Sequence, residues 1–142
     1  MINKDKIFEL FNEVAENSDG KSKLKPVDDF METPFAKIGM FTKLVLNHFV
    51  FHEKLERFLK KEQPTYDAQS TREASDFTVF NRAWFYISQI DIDENSHLKA
   101  IVQFNPVTFK KALQSAIWYF ESQEHYEKCA HLLKIQKLVK EI

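Results

Sequence analysis

The chain has 142 residues, of which 44% are hydrophobic and 29% charged, with a formal net charge of -1. That is the length of one domain, with too much apolar material for a disordered chain and too much charge for a membrane protein. A single helical domain over residues 1–142 is the expectation.

The longest apolar stretch, Leu44 to Phe51, is broken by Asn47 and His48. It falls far short of the roughly 20 apolar residues that span a bilayer, so no membrane association is expected. The first residues carry no continuous apolar segment and no small-residue cleavage site, which predicts no export. Cys129 is the one cysteine, which suits a reducing compartment and places the protein in the cytoplasm. Gly20 and Gly39 are the only glycines, which excludes both the three-glycine dinucleotide fingerprint and the G-x-S-x-G nucleophile turn. The same scarcity predicts an all-α fold, with long helices and few connections.

In chain order, Asn3 caps a first predicted helix whose apolar positions Ile7, Phe8, Leu10, Phe11, Val14 and Ala15 recur at helical spacing. Ser18 to Pro34 reads as a loop with one helical turn near Val27 to Met31. From Phe35 to about Glu62 the apolar residues point in nearly every direction, which predicts a central buried helix. Gln63 to Ser75 reads as a polar loop. Asp76 is the expected cap of a helix to about Ile90, with Phe77, Phe80, Trp84 and Ile87 on its core stripe.

Asp91 to Ser96 is then an acidic turn, followed by a short helix holding Leu98, Ile101, Val102 and Phe104. Asn105 and Pro106 start the next helix, with proline where its missing donor costs nothing. Ser122 is the expected cap of a last helix through Lys140. The predicted architecture is a multi-helix bundle around residues 35–62 that ends in a C-terminal helical hairpin.

Several patterns imitate reactive sites. Gly20-Lys21-Ser22 resembles the end of a phosphate-binding loop, but Ala15 stands where that loop requires glycine. His48 and His52 share a helical face with Glu56, a spacing that can bind a metal, and His125 with Cys129 repeats it on the last helix. Hydrogen-bonded core histidines are the simpler reading, and no metal, cofactor or catalytic residue is assigned. Asp91, Asp93 and Asn95 imitate a calcium loop whose glycine and closing glutamate are replaced by Ser96 and Val102. Lys43, Lys54, Arg57, Lys60 and Lys61 offer a nucleic-acid reading on the central helix. Residues 35–62 hold six basic side chains against three acidic, too few for a phosphate-binding surface.

Two aromatics fall on the wrong side of their helices. At about 100 degrees per residue, Phe85 points away from the Phe80 and Trp84 stripe, among Thr78, Arg82 and Gln89. Trp118 sits opposite Phe109, Leu113, Ile117 and Phe120, beside Lys111 and Gln114. Either a second layer of helices covers them or they anchor a partner. Phe85, Trp118 and Lys111, with the acidic residues Asp91, Asp93 and Glu94, form the predicted partner-binding set.

In the last helix, Cys129, Leu132, Leu133, Ile135, Leu138, Val139 and Ile142 spread over roughly 200 degrees, more than one neighbour covers. The helix is therefore interior or docks on another chain, including a second copy. Through Glu124, Tyr126, Glu127, Lys128, Cys129, Ala130 and Leu132, residues 109–138 resemble the UvrB/UvrC-type helical hairpin. That resemblance implies a small protein-docking element. In size and in its Lys, Phe and Ile usage the chain also resembles phage or mobile-element accessory proteins, including inhibitors of host defence machines. The expected function is non-catalytic binding of another protein.

Overall fold

The computed structural model describes residues 25–65 and 67–140, and the predicted helix from Asn3 lies outside them. Among the described residues there are six helices and no strand: α1 (Lys25–Met31), α2 (Pro34–Glu62), α3 (Ala68–Ile87), α4 (Asn95–Gln103), α5 (Pro106–Ser122) and α6 (Tyr126–Lys140). The chain divides into two units, Met1–Glu32 and Thr33–Ile142. Helix α1 is the described part of the first, and α2 to α6 build the second.

Helix α2 begins where the Thr33 hydroxyl accepts the Ala36 amide at 3.2 Å and Pro34 fills the first turn. Its 29 residues span about 44 Å at 1.5 Å per residue. It contacts α3, α4 and α5, so it is the central element the sequence predicts. It is not buried all round. Ile38, Phe41, Val45, His48 and His52 form its inner stripe, while Phe49, Val50, Phe51 and Phe58 are exposed. Among the described residues the excess apolar side chains have no helix opposite them, because the buried positions end at His52 and the α2–α3 hairpin continues as a pair of helices.

Helix α3 is capped nine residues before the predicted cap. Asp67 is the actual N-cap, accepting the amides of Gln69 and Ser70 at 3.1 and 3.2 Å and the Ser70 hydroxyl at 2.7 Å. The polar stretch read as loop is a helix surface, braced by Gln69 donating to Glu73 at 2.7 Å. Phe80, Ala83 and Ile87 are buried as predicted, but Phe77 is 63% exposed. Its stripe is correct; ring and hydrogen-bond contacts from α3 to α5 and α6 begin only at Phe80 and Asn81.

Helix α5 follows the predicted start, with the Asn105 carboxamide accepting the Val107 and Thr108 amides. It ends within one residue of the predicted Glu121, but the predicted cap of the next helix differs. Ser122 closes α5 instead of capping α6, and the turn is a Schellman motif: the His125 amide donates to the Phe120 carbonyl at 2.9 Å and the Glu124 amide to the Glu121 carbonyl at 3.0 Å. Glu124 takes the left-handed position, φ 61°, usually given to glycine.

The core joins Ile38, Phe41 and Val45 of α2 to Phe80, Ala83 and Ile87 of α3, Ala100 and Ile101 of α4, Phe109 to Phe120 of α5 and Leu132 to Val139 of α6. Aromatic edges pack it, including Phe41 on Phe109 and Phe104 on Phe109, both edge-to-face.

Candidate functional site

The predicted docking residues fall on two surfaces. Phe85 is 63% exposed near the end of α3, with the Gln89 carboxamide donating to its backbone carbonyl at 2.7 Å. Trp118 is 64% exposed on α5. Among the described residues no second layer of helices covers either ring. Among the described residues no contact joins them, and helix geometry explains why. On α6, Lys128 and His131 turn toward α3, Lys128 lying over the Trp84 ring and His131 meeting the Ile87 carbonyl at 2.9 Å. Tyr126, Ala130 and Leu133 turn toward the Trp118 side instead, about 100 to 160 degrees around the helix from Leu132.

The predicted acidic turn follows the end of α3. The Asp93 amide donates to the Asp91 carboxylate at 2.9 Å, and the Asp91 amide donates to His97 Nδ1 at 2.8 Å. Glu94 lies 3.7 Å from His97 and precedes the first residue of α4. The Asp91 carboxylate therefore helps to build the turn, in the manner of an Asx turn. Asp91 and Asp93 also line a polar hollow of about 450 Å³ with Ser88, Ile90, Ile92, His131 and Lys134.

The Trp118 surface is apolar. Ile117, Glu121, Tyr126, Cys129, Ala130 and Leu133 line a groove of about 360 Å³ between α5 and α6, beside the Trp118 position. Tyr126 and Leu133 are both exposed. The wide apolar arc of α6 thus resolves into two parts: Cys129, Leu132, Ile135 and Val139 are buried, and Leu133 faces the groove. Burial, and then the nearby Glu121 charge, push the Cys129 thiol above its ordinary value, so it stays protonated at neutral pH. Lys111 is exposed on the same helix as Trp118. Gln114, grouped with them in the sequence, instead accepts from Gln136 at 2.9 Å.

The candidate reactive residues make contacts within and between helices. His48 is 4% exposed, and its Nε2 lies 2.7 Å from Asp76 Oδ1, tying α2 to α3. His52 is buried and sits 3.9 Å from Glu56. Burial and then the Asp76 charge raise the Tyr119 phenol above its ordinary value. Among the described residues, no three His, Cys, Asp or Glu side chains are placed to hold a metal ion, so the His48/His52 and His125/Cys129 pairs do not converge.

The basic set is partly neutralised. Arg57 pairs with Glu53, and Lys60 with Glu56 at 3.2 Å. No described helix is long and apolar enough to cross a membrane.

The sequence did not single out the groove itself. Its signal is the i, i+3, i+4, i+7 run Tyr126, Cys129, Ala130 and Leu133, of which Cys129 and Leu133 belong to the wide apolar arc and Tyr126, Cys129 and Ala130 to the hairpin resemblance. No protein-family model, curated protein or solved structure matches the chain. The class is therefore defined by fold and surface alone: an all-α bundle whose described helices expose several aromatic rings, Phe51, Phe77, Phe85 and Trp118 among them.

Proposed function

We propose that this chain is a non-catalytic helical protein that works by binding another protein, through Phe85 and Trp118 with Lys111, Asp91, Asp93 and Glu94 around them. The observation that carries the reading is the placement of two large aromatic rings, more than 60% exposed, on helix sides that face away from the core. Exposed Trp and Phe anchor interfaces because they bury much area at little loss of side-chain freedom. The local resemblance of residues 109–138 to the UvrB/UvrC-type docking hairpin supports the same reading.

The finer proposal is an accessory protein of a phage or mobile element, an inhibitor of a host defence machine included. It rests on the resemblance in size and composition. A cytoplasmic site of action suits its single, buried thiol.

Affinity capture from a relevant lysate, with the wild type, Phe85→Ala and Trp118→Ala side by side, tests the proposal. Loss of a partner in either variant is the expected result, with the remaining affinity weakly dependent on salt. Equal recovery by all three proteins removes the site. A steep loss of affinity with rising salt transfers the function to nucleic acid binding through Lys43, Lys54 and Lys61.

A further inference from the structure

The α5–α6 groove has an ordered distribution of charge. Because the two helices run antiparallel, the end where α5 hands over to α6 carries Glu121 and Glu124, both exposed. The other end carries Lys110 and Lys111 from the start of α5 and Lys137 from the end of α6, also exposed. Among the described residues none of these five side chains forms an ion pair. Glu121 and Lys111 are ten residues apart, so the two ends are separated by about 15 Å along the helix. Between them lie the apolar groove and Trp118.

A surface that is acidic at one end, basic at the other and apolar in the middle is complementary to itself when turned end for end. We propose that the occupant of this groove is a second copy of the chain. It lies antiparallel about a two-fold axis across the hairpin, with the acidic end of each copy on the basic end of the other and Trp118 of each copy in the shared apolar centre. The proposal rests on the reading of Trp118 as a docking residue and assigns its partner. It leaves Phe85, on the other side of α6, for a different protein.

Analytical ultracentrifugation of the full chain at low salt tests the idea, over a micromolar to submillimolar range. The wild type is expected to be a dimer. Trp118→Ala weakens self-association about thirtyfold or more, the scale of an interface anchor. Lys110→Glu with Lys111→Glu gives a monomer, and so does Glu121→Lys with Glu124→Lys. All are exposed positions, and circular dichroism verifies that each variant keeps its helices. Mixing the two charge-reversed proteins restores a dimer, because the reversed end of each then meets an oppositely charged pair on the other. A wild type that stays monomeric overturns the proposal, as does a mixture that stays monomeric or a charge-reversed variant that dimerises like the wild type. A monomer that still loses its lysate partner on Trp118→Ala overturns the second copy alone and leaves the protein-binding function standing.

Discussion

His48 Nε2 on α2 and Asp76 Oδ1 on α3 lie 2.7 Å apart, and this is the polar tie between the two longest helices. Among the described residues His48 Nδ1 has no hydrogen-bond partner, and the Asp76 contact is the satisfied polar interaction of this buried ring. Asp76→Ala removes it and is expected to cost about 1 to 3 kcal/mol, the penalty of leaving a buried polar group unpaired. Asp76→Asn keeps an acceptor and retains most of that stability. Urea unfolding of the two variants checks the difference; equal loss in both would falsify the hydrogen-bond account.

The start of α3 is sensitive to acid. The Ser70 hydroxyl and then the Ser70 amide hold the Asp67 carboxyl below its ordinary value of 3.8. A carboxylate whose value is depressed on folding contributes stability that is fully present above the unfolded value and is lost as pH falls through the folded one. Helix content near Asp67 should therefore be constant from neutral pH to about pH 4 and fall below it. Asp67→Asn, which caps without a charge, should flatten that fall in a circular dichroism titration.

The α5–α6 turn stores strain at Glu124. Glycine takes a φ of 61° without the Cβ clash, so Glu124→Gly should raise stability by about 0.5 to 1 kcal/mol after allowing for the freer unfolded chain. Thermal unfolding at high salt, where charges at the hairpin ends are screened, is the suitable measurement. No gain in melting temperature would place the turn's strain elsewhere.

Surface and core aromatics should separate cleanly. Phe85→Ala and Trp118→Ala are expected to change monomer stability by less than about 0.5 kcal/mol. Phe120→Ala, in a fully buried ring that touches Trp84 and Phe80, should cost about 3 to 5 kcal/mol. Partner capture lost in the first pair without loss of melting temperature assigns those rings to binding.

The helix class, the extent of α2 and the start of α5 were legible because their signals are local: Pro106 in a first turn, an Asn105 cap and long runs without breakers, though Pro34, read as the end of the loop, is the first residue of α2. Two boundaries were not. Asp67 and Asp76 both precede helix-compatible residues, and the polar surface of residues 68–75 hides the earlier start. The turn after Ser122 uses a glutamate where glycine would have marked it. The site was half legible. The directions of Phe85 and Trp118 follow from helical periodicity, whereas the α5–α6 groove depends on which side of α6 faces α3, set by contacts such as Lys128 with Asn81 that no local pattern encodes.

The hairpin of α2 and α3 has no fully buried side chain in residues 53–62 or 68–79, while the same helices are anchored by Phe41 and Val45 on one side and Phe80 and Ile87 on the other. One continuous pair of helices therefore contains two lifetimes. Amide protons of the distal pair should exchange through local opening well below the free energy of global unfolding, and those around Phe41 and Phe109 should exchange only when the whole domain opens. A protease given the native protein should accordingly cut near Pro64 before it reaches any residue of the bundle.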